Sequence, residues 1–185
     1  MPMIFDRIAI IGAGLIGASI ARAAREQGAA NTIAIYDANA AVRERVRELD
    51  LGEVFDEAEK AVAQAELVVL AVPVGAMGPA AAACARGLKV GAIVTDVGSV
   101  KQAVVDAVAG ALPAHVYFVP GHPLAGTEHS GPDAGFATLF HNRWQILTPL
   151  ADQGPAYPAA VDQLEAFWRA LGANVVARRV PRCGA

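Results

Sequence analysis

Cysteine is scarce in this sequence: 185 residues carry two, Cys84 and Cys183. They lie far apart and in different contexts, which argues against a disulfide framework or a zinc ligand set and fits a reducing cytoplasm. Charge of one sign is not in excess either. The formal net charge is -3, which leaves no basic footprint for nucleic acid or for an anionic membrane surface. An unbroken apolar run long enough to cross a bilayer is also lacking. The nearest approach, "LVVLAVPVGAMGPAAAACA", is interrupted by Pro73, Gly75, Gly78 and Pro79. A strand, a loop and a helix start account for it better than a membrane span. "MPMIFDR" has no basic region followed by a long apolar segment, so it does not read as a signal peptide. Internal repeats and low-complexity segments are absent.

What is present is an apolar fraction of 55%, enough for a well-buried core. The length suits one sizeable domain, or one domain with a fragment of another. Short β-rich runs alternate with helical stretches. "RIAIIG" leads into a helix over 15–27, and "TIAIY" into one over 40–49. "LVVLAVP" precedes a helix near 79–86. "AIVTD" precedes one over 99–112, with Val100, Val104 and Val108 on one face. "VYFVP" opens a loop carrying His122, and "WQILTP" reads as a further strand. A helix over 157–171 takes its apolar stripe from Val161, Leu164, Phe167, Trp168 and Leu171, with Gly172 as its cap. Continuous apolar strands alternating with helices predict an α/β fold, a Rossmann-like, mostly parallel sheet flanked by helices.

"IIGAGLIGASIARAA" spaces Gly12, Gly14 and Gly17 as G-x-G-x-x-G, after an apolar strand and at a helix start. Gly12 allows the tight turn, Gly14 lets the backbone approach a pyrophosphate, and Gly17 lets helix pack on strand. The helix N-terminus adds free N–H groups and a positive dipole end. The cradle thus comprises Gly12, Ala13, Gly14, Leu15, Ile16 and Gly17. Asp37 ends the second apolar run, about 20 residues on, where a carboxylate accepts both ribose hydroxyls. It would repel a 2′-phosphate, which favours NAD over NADP, although Arg43 and Arg45 lie close in sequence. The plainer alternative is a glycine-rich turn with Asp37 as a helix-start residue.

"TDVGSVK" closes the fifth apolar run. Ligands of open α/β sheets bind beyond the carboxyl ends of the strands, so Gly98 and Ser99 fall on the same edge as the glycines. Ser99 reads equally as the N-cap of the following helix. His122 also follows a strand end, between Gly121 and Pro123, with Gly126 beyond. Such a loop aims the imidazole, and with an ordinary pKa near 6.5 it accepts a proton at neutral pH. A loop histidine satisfied by a backbone carbonyl is the alternative. His115 reads as a residue of a solvated turn, and His129 and His141 show no metal-ligand spacing with His122, so no metal is expected. Glu128 lines the crevice or is a surface carboxylate.

These motifs resemble a known family. "GAGLIGASIARA", "YDAN", "AVPV", "TDVGSVK", "GHPLAGTEHSGPDAG" and "LFHNRWQILTP" stand in the order seen in prephenate and arogenate (cyclohexadienyl) dehydrogenases, over roughly residues 7–176. The resemblance implies an NAD-dependent oxidative decarboxylation in tyrosine biosynthesis, in the cytoplasm. His122 would accept the proton of the ring hydroxyl, and Ser99 would orient His122 and that hydroxyl. Thr127 and Glu128 would border the substrate, and Val72 and Pro73 the cofactor. It also implies a homodimer built through a helical second domain. Residues 5–177 would form the NAD-binding domain, and 178–185 a tail after which that second domain is absent. "ARRVPRCGA" departs from the family pattern, which reads as a truncation or a shifted frame after Val176. Lys101 and Arg143 are then the basic residues nearest the serine and histidine motifs. A β-hydroxyacid-type dehydrogenase and a non-catalytic NAD-binding module remain as alternatives.

Overall fold

The computed structural model describes residues 3–151 and 153–178. Six parallel strands form the main sheet: β1 (Phe5–Ile11), β2 (Ala30–Tyr36), β3 (Glu53–Val54), β4 (Leu67–Leu70), β5 (Ile93–Asp96) and β6 (Tyr117–Val119). Their spatial order is β3-β2-β1-β4-β5-β6, every pairing parallel. The order reverses between β1 and β4, and such a reversal opens a crevice at the carboxyl ends of those two strands.

The strands form because both faces of the sheet are covered. In β4, Leu67 and Val69 face one apolar cluster, and Val68 and Leu70 the other, as the two-residue period of a strand requires. One cluster packs Ile8, Ile10, Ile20, Leu164, Phe167 and Trp168; the other packs Ile11, Met77, Val94, Val104 and Phe118. Each large side chain fully buried in this way contributes about 1.5–3 kcal/mol.

Helix α1 (Leu15–Glu26) buries Ala18, Ile20, Ala21, Ala23 and Ala24. Helix α2 (Ala40–Glu48) starts where the Asn39 side chain accepts from the Ala41 amide, so Asn39 and not Asp37 is its cap. The bilayer-like stretch resolves into β4, a 3-10 turn (Val74–Ala76) and helix α4 (Met77–Cys84), two residues ahead of its expected start. Two further elements have no counterpart in the sequence reading: β3 and the short helix α3 (Ala58–Val62). Among the described residues no helix is long and apolar enough to cross a membrane.

Helix α5 (Lys101–Val108) is shorter than the expected 99–112. Val104 and Val108 are buried, but Val100 is the N-cap residue, outside the helix, and is 55% exposed, so it does not join their face. Ser99 lies before the helix and is not its cap.

The expected further strand belongs to a separate small sheet, of order β7-β8-β9: β7 (Gly121–Pro123), β8 (Trp144–Leu147) and β9 (Asn174–Ala177). β7 runs antiparallel to β8, and β9 parallel to it. The expected histidine loop is therefore a strand at His122 itself. Helix α6 (Tyr157–Ala170) carries the expected buried stripe. It ends in a paired cap, the Gly172 amide donating to Arg169 and the Ala173 amide to Trp168, the double bond of a Schellman motif. The Tyr157 hydroxyl fastens this helix to the main sheet, donating to the Phe118 carbonyl at 2.7 Å and accepting from the Leu150 amide at 3.0 Å. Of the tail expected at 178–185, all beyond Arg178 lies outside the described residues, Cys183 included.

Candidate functional site

The turn after β1 is fixed by close contacts. Gly12 has φ +99°, its N–H donates to the Tyr36 carbonyl at 2.8 Å, and a Cβ there would stand 2.5 Å from the Ala71 carbonyl oxygen. No other residue fits. A Cβ on Gly17 would collide with the Gly12 carbonyl oxygen, which is how closely α1 packs on β1. Gly14 differs: a Cβ on it would meet nothing within 4 Å. It is the N-cap of α1 and makes no side-chain hydrogen bond there. The space over the helix N-terminus, flanked by half-buried Leu15 and Ile16, is open to an anion.

Asp37, just past β2, is oriented by two backbone amides: Ala13 donates to Oδ2 at 2.8 Å and Asn39 to Oδ1 at 2.9 Å. A carboxylate has about four acceptor positions, so capacity remains for hydroxyl donors. Beside it, a cleft of about 210 Å³ is walled by Gly12, Tyr36, Ala38, Val72 and Pro79, among other small apolar residues. Val72 is half-buried and Pro73 exposed, directly after β4. Arg43 is occupied: Nε donates to Asp56 at 3.0 Å, Nη1 donates to the Asp37 carbonyl at 2.8 Å, and the guanidinium lies over the Tyr36 ring. Arg45 is occupied too, by Asp133 and Glu48, both at 2.6 Å. Asp133 belongs to the segment after the histidine strand. That segment is tied to α1 as well, by the Phe136 amide donating to the Ser19 hydroxyl at 3.1 Å.

His122 is half-buried and registered opposite Ile146. Directly opposed residues of an antiparallel pair share a face, so His122 lies on the face bearing Ile146 and Trp144. Leu124, Trp144, Ile146, Val176 and Arg178 line a cavity of about 320 Å³ there. A larger cavity of about 500 Å³, beside Arg25 and Asp50, opens at the amino end of β2, the opposite edge from the glycine turn. The His122 pKa is held below the usual histidine value, first by burial and then by the charge of Lys101, with Asp96 pulling the other way.

The remaining expected residues divide. Gly98 is buried and its amide donates to Asp96 Oδ2 at 2.8 Å, so that N–H is committed within the protein. Ser99 is exposed, and among the described residues no hydrogen bond joins it to His122. Thr127 and Glu128 stand on an exposed stretch after β7, where Thr127 Oγ1 accepts from the His129 amide and Glu128 faces the His129 ring at 3.4 Å. No group of three or more His, Cys, Asp or Glu able to hold a metal ion occurs among the described residues.

One residue escaped the sequence reading. Asp96, the last residue of β5, is fully buried and accepts from the amides of Gly98 and Gly121, at 2.8 and 3.0 Å, and from Lys101 Nζ. The signal was in "TDVGSVK": an acidic residue closing an apolar strand, with a lysine five positions on.

Comparison with known proteins places these elements in context. Residues 20–177 match the family described as "Prephenate dehydrogenase, nucleotide-binding domain". A cyclohexadienyl dehydrogenase from Zymomonas mobilis is 47% identical over 173 residues, covering 93% of this chain and 58% of that protein. Prephenate dehydrogenase of Aquifex aeolicus, solved with hydroxyphenyl propionate and NAD+, superposes with a TM-score of 0.83 at 28% identity over 97% of this chain and 61% of that one. Arogenate dehydrogenase of Synechocystis superposes with a TM-score of 0.83 at 28% identity, over 94% and 59%. The chain thus spans about three fifths of these relatives.

Proposed function

The chain belongs to the prephenate dehydrogenase family through its nucleotide-binding domain, and on that premise we propose that it binds NAD and serves the oxidative decarboxylation of prephenate or arogenate, to 4-hydroxyphenylpyruvate or tyrosine. One observation carries this reading. The open Gly14 cradle after β1 and His122 after β6 lie at the carboxyl ends of strands of one parallel sheet, where a dinucleotide and a proton acceptor serve a single reaction.

The residues fit the cofactor. Gly14 leaves room for a pyrophosphate at the start of α1, the apolar cleft beside Tyr36 and Val72 suits a flat base, and Asp37 stands ready for ribose hydroxyls. With Arg43, Arg45 and Arg47 all engaged by carboxylates, every guanidinium of α2 already has an anionic partner ahead of any 2′-phosphate. When bound, NAD supplies the acceptor for the hydride leaving the carbinol carbon.

The protein's own part is to hold the reactants and take a proton. His122, its pKa lowered by burial and Lys101, is neutral at pH 7 and accepts the proton of the ring hydroxyl. Ser99 meets that hydroxyl from the end of β5, and Thr127 and Glu128 border the substrate. Aromatisation on loss of carbon dioxide drives the reaction forward. Titration with NAD, followed by NADH formation with prephenate and with arogenate, tests the proposal. Turnover would carry the catalytic half of the proposal, and absence of NAD binding would refute it together with the reading as a non-catalytic dinucleotide module.

A further inference from the structure

Between the two sheets lies a small polar seam. Asp96 of β5 is fully buried, and its carboxylate accepts from the Gly121 amide at 3.0 Å, the residue directly before His122. Lys101, in the first turn of α5, donates to the Asp96 carboxylate and also to the Gly121 carbonyl. Both backbone groups of Gly121 are therefore held by one ion pair, its carboxylate fully buried and its ammonium half-buried. The geometry admits nothing larger than glycine: a Cβ at 121 would stand 2.7 Å from Gln145 Nε2 and 2.9 Å from the Asp96 carbonyl oxygen. β7 has three residues and forms one edge of the small sheet, so its ladder with β8 alone would hold it weakly.

We propose that Asp96 and Lys101 are positioning residues for His122: they clamp Gly121, fix the strand that presents the imidazole, and hold an ammonium on the carbonyl of the residue before it. The inference rests on His122 being the proton acceptor proposed above. A buried ion pair between carboxylate and ammonium is costly to desolvate and is weak evidence for stability alone. Among the described residues the charges that act on His122 are those of Asp96 from β5 and Lys101 from α5; β8 opposes it with the neutral Ile146, and Arg178 borders the cavity lined by Trp144 and Ile146. The two charges act in opposite directions on the imidazole. The cation disfavours imidazolium and the carboxylate favours it; burial adds to the cation's effect, and the balance leaves the ring unprotonated at neutral pH.

That opposition gives a test that simple damage to the fold would not mimic. The His122 pKa is read by NMR titration of its imidazole in the 185-residue chain, assigned with a His122→Asn spectrum, with His115, His129 and His141 as internal controls. Lys101→Met should raise the His122 pKa, Lys101→Arg should leave it close to the parent value, and Asp96→Asn should lower it further. A variant that fails to fold would show all four histidines at the unfolded value near 6.5, and the remaining variants then decide. His122 pKa values that coincide in the folded Lys101→Met and Lys101→Arg chains would overturn the proposal. Such a result would leave the proton-acceptor reading standing, because that reading is tested by turnover of His122→Asn and not by its neighbours.

Discussion

The amide of Ala13 donates to Asp37 Oδ2 at 2.8 Å, tying the turn after β1 to the end of β2. Ala13 is fully buried, so this amide has no water to fall back on. Asp37→Ala should therefore destabilise the fold by about 1–3 kcal/mol, the cost of an unpartnered buried donor. Asp37→Asn keeps a side-chain oxygen and should cost less. Urea unfolding of both variants checks this, and equal midpoints for parent and Asp37→Ala would show that the carboxylate does not organise the turn.

Gly14 and Gly12 should separate binding from folding. At Gly14, φ is -73° and an added Cβ meets nothing, so Gly14→Ala should fold with stability within about 0.5 kcal/mol of the parent. Its methyl group would occupy the space over the helix N-terminus, and NAD affinity should fall about tenfold or more, at 1.4 kcal/mol per decade. Gly12→Ala, with φ +99° and a clash against the Ala71 carbonyl, should instead lose stability. Calorimetry with NAD alongside thermal melting of each variant distinguishes the two behaviours.

In a catalytically competent form, His122→Asn should lower turnover by roughly 10²–10⁴ while leaving dinucleotide affinity nearly unchanged. Because burial and Lys101 depress the pKa of His122, the parent's rate should rise with pH through a midpoint below the ordinary value of about 6.5 and level off by neutrality. The linked effect on stability has the same sign. The folded chain binds the proton less well than the unfolded one, so the group's contribution is present above about pH 6.5 and is lost as pH falls through the folded value. A pH–rate profile with its midpoint above the ordinary value would contradict this assignment.

Cys84 should be inert. Burial pushes its thiol up to about 12, and the thiolate is the reactive form. In a Cys183→Ser background, which removes the other cysteine, a thiol reagent at pH 8 should modify Cys84 only after denaturation.

The site was legible in the sequence wherever local chemistry is self-contained. Gly12, Gly14, Gly17 and Asp37 belong to one β1-α1-β2 unit, so their spacing is enough to place them. The same holds for α6, whose stripe from Val161 to Leu171 and Gly172 cap specify a helix without outside help. His122 was placed at the correct edge but in the wrong backbone state. A three-residue strand containing Gly121 and Pro123 carries no strand signal, and it exists because β8 and the Asp96–Lys101 pair hold it. The late start of α5 has the same origin: Asp96 draws in the Gly98 amide and the Lys101 ammonium, and the chain turns helical only after Val100. β3 and α3 were missed because two and five residues are too short to show a period. Contacts between distant segments, not local pattern, decide these parts.

Whether this chain is an NAD-binding domain built around Gly14 and Asp37 is decided by titrating the unmodified chain with NAD+ and NADP+ under the same conditions. NAD+ should bind saturably and as the tighter of the two, since the Asp37 carboxylate repels a 2′-phosphate and Arg43 and Arg45 are engaged by carboxylates. Binding of NADP+ as tight as NAD+ or tighter, or no binding of either, would contradict it.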